Sequence, residues 1–217
     1  ASWNPLIPMN STFSFANANT TTTTATSYST NRCNSAICSL GMKSGKYYAE
    51  FKLSASTTSG GGYIGITNDI DFAQRGSYSG STNNNFAQFL STGWGYSTQG
   101  TLWNGSEGTQ YNAITVGDIV GLAVDLDANK LYLYHNGSLQ NTGGTNITAD
   151  KEYFFAASDG TLSNTFTWQG NWGQGNFGTT AVSSNSGNGY SATGSIGVFQ
   201  YQPPTNFTAL STKGLNQ

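Results

Sequence analysis

Four side chains that could bind a metal or carry a proton lie close together in residues 117–138, GDIVGLAVDLDANKLYLYHNGS. Asp125, Asp127 and Asn129 supply oxygen atoms, and His135 is the only histidine of the chain. Hard cations need several oxygen ligands that converge from a loop of adequate length. Only a few residues separate the two apolar stretches here, which is too short for that arrangement. The sequence therefore favours turn-forming roles for these side chains over a metal site.

The remaining acidic residues and the histidine do not form a catalytic pattern either. Glycoside hydrolysis needs two carboxyl groups about 5 to 10 Å apart across a cleft. The three glutamates, Glu50, Glu107 and Glu152, do not alternate along one strand. A serine nucleophile would need His135 as its base, and the sequence contains no G-x-S-x-G turn. We therefore predict a chain that is not an enzyme and that uses no metal or cofactor.

The two cysteines, Cys33 and Cys38, lie in the segment NRCNSAICSL. Three interpretations are open: two small buried residues, a local disulfide across a bend, or part of a metal site. The first is favoured because no further metal ligands lie nearby. No histidine pattern accompanies either thiol, so nucleophilic catalysis is not predicted. The cysteines leave the redox compartment undetermined.

Charge is scarce in this chain. Charged residues make up 8% of the 217 residues, whereas soluble domains average about 25%. The net charge is −2 and the eight basic residues are scattered, so nucleic acid is not an expected partner. No apolar run approaches the length of a membrane span, and the first residues, ASWNP, do not resemble a signal peptide. This composition favours a virion-exposed or extracellular protein.

The elements that must position these residues are strands. No segment keeps a helical period, and strand-like stretches recur between Gly, Asn and Ser clusters, which is typical of an all-β sandwich. In KYYAEFKL, the residues Tyr47, Ala49, Phe51 and Leu53 fall on one face, so we predict a half-buried strand. Residues 69–93 and 170–196 break the alternation and are predicted loops.

The pattern of residues 117–138 predicts a meander of antiparallel strands. Val120, Leu122 and Val124 alternate with other apolar residues, so this strand is predicted to be central. Asp127 and Asn129 are expected in a tight turn. Asn136–Gly137 predicts a type I′ hairpin turn. A further hairpin is predicted in GWGYSTQGTLWNG, around Gln99–Gly100.

Several of these segments, in this order and spacing, resemble the SPRY domain: SGKYYAEFKL, GYIGIT, LWNG, TVGDIVGLAVDLDANKLYLYHNG and YFFAAS. The central one, residues 117–137, is the most specific. ASWNPL and GVFQYQPPTNFTALSTKGL resemble the ends of SPRY-containing structural proteins of bacteriophages. Asn206 replaces the glycine usual in that pattern, and Lys213–Gly214 replaces its usual pair. The resemblance is weakest at 69–93 and 170–190.

The resemblance implies one all-β domain over residues 1–217, an antiparallel two-sheet β-sandwich of the SPRY, concanavalin A-like jelly-roll kind. Residues 1–30 and 197–217 are flanking segments that pack on the sandwich or extend from it. Whether residues 1–30 form strands or an arm is left open. The resemblance also implies a non-catalytic binding module whose partners dock on loops at one edge.

Aromatic side chains beside loops are the candidates for binding, because they offer large, rigid contacts at low entropic cost. The alternative is that Trp94 and Trp103 pack between the sheets. The candidate binding residues are Arg75, Tyr78, Phe86, Trp94, Tyr96, Trp103, Asn104, Trp172 and Tyr190.

We therefore expect a phage virion surface component, a fibre or a capsid decoration, that mediates protein contacts or host attachment. Its partners would be other virion proteins, another protein or a host surface glycan, with homo-oligomers also open. The alternative is a lectin-like, carbohydrate-binding adhesin, which requires two or more exposed aromatic residues in a cleft. A glycan hydrolase is the least favoured hypothesis. No nucleic acid or membrane partner is expected.

Overall fold

In the computed structural model, the chain folds into two sheets that pack face to face around one main core. The structure describes residues 1–7, 13–24, 35–70, 85–88, 91–160, 164–183, 190–191 and 197–212. Within these ranges the chain forms no α-helix, so no membrane-spanning helix is found in them. The predicted all-β, antiparallel sandwich is confirmed.

Strands are numbered in chain order, and the described residues form the following ones. They are β1 (Ser14–Ala16), β2 (Thr21–Thr23), β3 (Ser35–Ile37), β4 (Lys46–Ser56), β5 (Gly62–Thr67), β6 (Gly93–Ser97), β7 (Thr101–Trp103), β8 (Glu107–Gln110), β9 (Ile119–Asp125), β10 (Lys130–His135), β11 (Ser138–Leu139), β12 (Thr145–Asn146), β13 (Phe154–Asp159), β14 (Phe166–Asn171), β15 (Asn176–Phe177), β16 (Thr180–Ala181), β17 (Tyr190–Ser191), β18 (Val198–Phe199) and β19 (Thr208–Ala209).

Two sheets make up the sandwich. Among the described residues, the larger sheet has nine strands in the order β1-β2-β14-β4-β9-β10-β11, with β12 paired to β10 and β19 paired to β4. The smaller sheet has six described strands in the order β3-β13-β5-β6-β7-β8. Two short ribbons, β15–β16 and β17–β18, lie outside these sheets. In this order β8 is the last described strand at one edge of the smaller sheet.

Strand β4 shows how the sequence builds the core. Tyr47, Ala49, Phe51 and Leu53 point into the core between the sheets, as their alternation predicts. The opposite face departs from the half-buried strand that we predicted, because Tyr48 and Glu50 are buried as well. Their burial comes from a chain segment far away in sequence, which the period of β4 cannot show.

Strand β9 is central, as predicted. Its seven residues are all buried, and it pairs with β4 on one side and β10 on the other. The hairpin after β10 turns at Asn136 and Gly137, whose φ angles of 47° and 80° are both positive, as a type I′ turn requires. The predicted hairpin at Gln99–Gly100 is also observed, between β6 and β7.

Residues 197–210, here called the strap, cover the outer face of the larger sheet. Phe199, Phe207 and Ala209 pack with Tyr48 and Ala123 in a separate apolar cluster. At its end, β19 pairs in parallel with the first residues of β4, through Thr208–Tyr47 and Ala209–Tyr48. The strap thus converts an outer sheet face into a second buried layer.

The side chain of Glu50 binds the backbone of the strap through hydrogen bonds. Its Oε2 accepts a hydrogen bond from the Gln200 amide and its Oε1 from the Tyr201 amide, each 2.8 Å long. Tyr48 Oη and Asn171 Nδ2 donate the other two, at 3.2 and 3.3 Å. Burial raises the pKa of Glu50 to about 7, although these four donors oppose the shift. A buried carboxylate therefore supplies the acceptors for the backbone of the strap.

Residues 85–88 cover part of the outer face of the smaller sheet. Phe86 and Ala87 are buried in a third cluster with Ile37 and Tyr63. Glycines in β6 allow this close approach: a Cβ on Gly95 would lie 2.5 Å from the Cβ of Ala87. Residues 85–88 of the predicted loop 69–93 therefore pack on the smaller sheet.

The N-terminal residues pack into the sandwich. Trp3 is fully buried, with its ring centroid 5.1 Å from that of Trp172 and 5.6 Å from that of Phe51. The Ala1 amine donates a 3.0 Å hydrogen bond to the Leu210 carbonyl. β1 and β2 extend the larger sheet beyond β14. Residues 25–30 of the flanking segment lie outside the described residues.

Candidate functional site

The polar residues of the 117–138 segment make structural contacts. Asp125 Oδ1 accepts a hydrogen bond from the Ala128 amide at 2.9 Å, and its Oδ2 lies 2.8 Å from Lys46 Nζ. Asp127 lies in the predicted turn and accepts a hydrogen bond from the Gly45 amide at 3.0 Å. Asn129 adopts the positive φ of 54° that the turn needs. These side chains join two turns at one end of the larger sheet.

His135 belongs to a second structural cluster, at the other end of these strands. Its Nε2 lies 3.1 Å from Asp118 Oδ2, which also accepts from the amide and hydroxyl of Thr115. Asp118 Oδ1 accepts from Asn136 Nδ2 at 2.7 Å. Partial burial raises the pKa of Asp118, but these hydrogen bonds outweigh it and lower the pKa to about 2. The histidine therefore supports a turn.

This cluster predicts an acid-dependent loss of stability. The pKa of Asp118 is lowered from 3.8 to about 2 on folding, so its contribution is complete above pH 3.8 and is lost as the pH falls towards 2. We expect Asp118→Asn to remove that part of the pH dependence, with a flatter unfolding free energy between those values. Urea unfolding at stepped pH measures it. An unchanged slope in the variant would contradict this assignment.

Cys38 is a free and buried thiol. It donates to the Leu40 carbonyl at 3.1 Å and accepts from the Phe155 amide at 3.2 Å. Burial raises the pKa of the thiol to about 12, and these hydrogen bonds oppose the shift only partly. A protonated, enclosed thiol is a poor nucleophile. Cys33 lies outside the described residues.

Four of the seven aromatic residues that we selected as binding candidates are buried, Trp94 among them. Phe86, Tyr96 and Trp172 are buried, so they cannot act as exposed contacts as expected. Phe86 packs in the outer cluster with Ile37 and Tyr63. The Tyr96 hydroxyl donates a hydrogen bond to the Asn112 carbonyl, and the ring of Trp172 contacts the ring of Trp3. Hydrophobic burial explains the difference, because these rings sit where a strand faces a second layer.

The other candidates have different positions. Trp103 is half-buried against the cluster around Phe86. Trp94 is 6% exposed and belongs to the main core, as the alternative predicted, and Asn104 is half-buried. The side chain of Tyr190, in β17, is not described, and Arg75 and Tyr78 lie outside the described residues. Binding by these residues stays a prediction.

Trp94 and Asn104 line a shared pocket of about 300 Å³. Asn104 is held in place by a 2.8 Å hydrogen bond from its Nδ2 to the Gly93 carbonyl. Trp94 rests edge-on against Tyr153, with ring centroids 5.8 Å apart. The full lining is Trp94, Leu102, Asn104, Ser106, Gly108, Thr109 and Thr145.

The pocket lies at the rim between the two sheets. Strands β6, β7 and β8 of the smaller sheet provide most of its wall, and Thr145 in β12 provides the part that belongs to the larger sheet. Trp94 and Leu102 make an apolar floor, whereas Ser106, Thr109 and Thr145 offer hydroxyl groups. None of the lining residues is charged. Such a site suits an uncharged group with one apolar face, such as a peptide side chain.

Sequence reasoning missed Leu102, Ser106, Gly108, Thr109 and Thr145. The hairpin signal in LWNGSEGTQ indicates that β8 turns back along β7, and this could have pointed to Ser106 and Thr109. It does not reveal that β8 ends the sheet among the described strands. Thr145 lies 36 or more residues from the other lining residues, so only the packing of the two sheets brings it there.

No coordination sphere or catalytic group accompanies this pocket. In the described ranges, no three His, Cys, Asp or Glu side chains lie close enough together to hold a metal. The lining has no carboxylate, imidazole or thiol. The arrangement can therefore bind a group by shape, apolar contact and hydrogen bonds, and it offers no acid or base.

Comparison with solved structures identifies the fold. The SPRY domain of human HERC1 superposes with a TM-score of 0.56 at 16% identity, over 78% of this chain and 96% of that one. The chain has the SPRY fold. The PSpry domain of TRIM65 agrees at a TM-score of 0.55 and 12% identity, over 77% and 88% of the two chains. The SPRY resemblance predicted from the sequence is confirmed at the level of the fold.

The SPRY fold also occurs inside a longer protein among these matches. Stonustoxin gives a TM-score of 0.56 at 16% identity, covering 78% of this chain and 26% of the stonustoxin chain. No family model matches the sequence, and no curated protein matches it. The SPRY likeness is therefore one of three-dimensional structure, at identities where sequence comparison alone is weak.

Proposed function

We propose that this SPRY-fold chain is a non-catalytic module that binds a protein partner through the pocket at the rim of the sandwich. The carrying observation is the pocket itself: an apolar floor, hydroxyl groups at the wall, and no charged or catalytic side chain. Ligand pockets span about 300–1,000 Å³, so this one suits a single side chain of a larger partner. The SPRY fold supports a protein as that partner.

We further propose that the module is displayed on a phage particle, as a fibre or capsid decoration. Two features support this setting: the low content of charged residues, 8%, and the phage-like pattern of the strap. Phe207, Ala209 and Leu210, which carry that pattern, are buried against the larger sheet. The residues that resemble the phage pattern thus help to close this fold.

A carbohydrate-binding adhesin is less well supported. That alternative requires two or more exposed aromatic residues in one cleft. The pocket contains a single aromatic ring, Trp94, which is 6% exposed. A sugar stacks on a ring face, and so little exposed surface offers a poor platform.

The test uses particles purified from the source that encodes the chain. A photo-crosslinking amino acid is placed at Ser106, on the pocket wall, and at the exposed Thr148 as a control outside the lining. We expect mass spectrometry to find the chain in the particles, and light to join Ser106, but not Thr148, to a defined protein. Absence of the chain from the particles would overturn the proposed virion location. Equal crosslinking from both positions would overturn the proposal that the pocket binds the partner.

A variant gives the affinity test of the same proposal. Thr145→Trp fills the pocket from the larger sheet, so we expect partner affinity to fall at least about tenfold. Thr148→Trp makes the same change at an exposed position outside the pocket and should leave affinity unchanged. Isothermal titration with the crosslinked partner measures both. Equal affinities for the two variants would contradict the proposed site.

A further inference from the structure

The strand beside the pocket has free backbone groups. β8 is the edge strand of the smaller sheet among the described residues, and its four residues are all exposed. The Tyr111 amide bonds to the Gly100 carbonyl at 2.8 Å, and the Asn104 amide bonds to the Ser106 carbonyl at 3.2 Å. These bonds flank the pairs Thr101–Gln110 and Trp103–Glu107.

This pattern fixes which backbone groups point outward. Residues of an antiparallel pair that is flanked by such bonds direct their own N–H and C=O groups away from each other. Glu107 and Gln110 therefore present backbone donors and acceptors at the outer side of β8. A bulge in the β7–β8 pairing lies between these two residues.

The edge has only part of the usual protection against pairing. Natural edge strands are shielded by short length, bulges, charge, proline or a covering segment. β8 is short and bulged, but its sequence EGTQ contains no proline and no lysine and has a single exposed carboxylate. Glu107 makes no ion pair with the described residues. A cationic side chain on an incoming segment would find an unused partner there.

The pocket adjoins this edge directly. Gly108 and Thr109 of β8 belong to its lining, and Ser106 precedes the strand. A Cβ on Gly108 would lie 2.5 Å from the Leu102 carbonyl oxygen, so glycine lets β8 approach β7 at the bulge. A strand laid along β8 would direct alternate side chains to the pocket side.

We infer that β8 and the adjoining pocket bind an extended segment of the partner protein, which adds to the smaller sheet as a further strand. Its backbone pairs with Glu107 and Gln110, one uncharged side chain enters the pocket, and a lysine or arginine faces Glu107. Main-chain bonds supply affinity and the pocket supplies specificity, as in other strand additions. This inference rests on the proposed function, because it names how the same site takes its partner.

The test uses the full chain and a displayed library of random 12-residue peptides. Peptides enriched on the wild type are measured against Glu107→Pro, which removes an outward N–H and is tolerated where that N–H faces solvent. We expect their Kd to rise at least about tenfold with Glu107→Pro. Glu107→Gln keeps the backbone donor and removes the charge, so we expect about a twofold to fivefold rise. Circular dichroism confirms that both variants fold.

Hydrogen exchange gives a readout that needs no variant. The enriched peptide should slow exchange of the Glu107 and Gln110 amides, with no change at Thr148. Peptides that bind Glu107→Pro as tightly as wild type, or that protect other amides, would overturn strand addition and leave a protein-binding function standing. A library that yields no binder would overturn the inference, and the crosslinking experiment then decides the proposed function. A dimer that Glu107→Pro dissolves would assign the edge to a second copy, against this inference.

Discussion

Replacing Trp3 by alanine is expected to lower the free energy of unfolding by about 4 kcal/mol, the size found for large aromatic residues removed from cores. Trp3 is fully buried and touches the rings of Phe51 and Trp172. Its amide also bonds to the Asn19 carbonyl at 2.8 Å. The side chain therefore links the N-terminal residues to the core, and its loss leaves a cavity between the sheets. Urea unfolding followed by tryptophan fluorescence measures the change.

Leu6→Ala is the matched control for this experiment. Leu6 lies three residues from Trp3 and is 87% exposed, so its truncation should change stability by less than about 0.5 kcal/mol. If Trp3→Ala proved as mild as Leu6→Ala, the N-terminal residues would be an arm that docks weakly. A much larger loss of stability in Trp3→Ala than in Leu6→Ala is the result expected if the N-terminal residues are part of the sandwich.

Glu50→Ala is expected to cost about 3 kcal/mol and to release the strap. The change leaves the amides of Gln200 and Tyr201 buried without acceptors, and each unsatisfied donor costs about 1–3 kcal/mol. We expect hydrogen exchange of these two amides to accelerate while the amides of β9 stay protected. Glu107→Ala, at an exposed position, is the control and should change neither property. If the β9 amides exchanged as fast as the Gln200 and Tyr201 amides, the strap would not open separately from the sandwich.

The same carboxylate gives the unfolding free energy a pH dependence of its own. The pKa of Glu50 rises from 4.5 to about 7 on folding, because burial outweighs its four hydrogen-bond donors. The folded state then binds more protons than the unfolded state, so this group's contribution falls as the pH rises from 4.5 to about 7. Glutamine at this position cannot titrate, so in Glu50→Gln the free energy of unfolding should depend less on pH over that interval. A slope that persists in the variant would assign it to another group.

Residues near one another in sequence were predictable, and those brought together by layers were not. The alternation of Tyr47, Ala49, Phe51 and Leu53 identifies the core face of β4, and Asn136–Gly137 identifies the turn after β10. The first signal depends on the two-residue period of side chains along a strand, and the second on the positive φ angles of a type I′ turn. The burial of Glu50 depends on the strap, 150 residues later. No pattern within β4 contains that information.

The candidate site shows the same division in a sharper form. Trp94 and Asn104 were selected because aromatic and amide side chains flank a hairpin, and both line the pocket. Phe86, Tyr96 and Trp172 met the same criterion but are not part of the pocket lining. Sequence chemistry cannot separate the two groups, because an aromatic ring beside a turn serves a core as well as it serves a surface. Thr145 enters only through the stacking of the sheets.

The parallel pairing of β19 with β4 has a mechanical consequence. A pull on the strap acts on Leu210, whose carbonyl accepts a hydrogen bond from the Ala1 amine, and on the Ala209–Tyr48 pair. Tyr48 belongs to β4, the strand that lies between β14 and β9 in the larger sheet. Tension on the strap is therefore delivered to the middle of the larger sheet and shared with the N-terminal residues, whereas β8 belongs to the other sheet. A module anchored by its strap would thus load a different sheet from the one that carries the proposed binding edge.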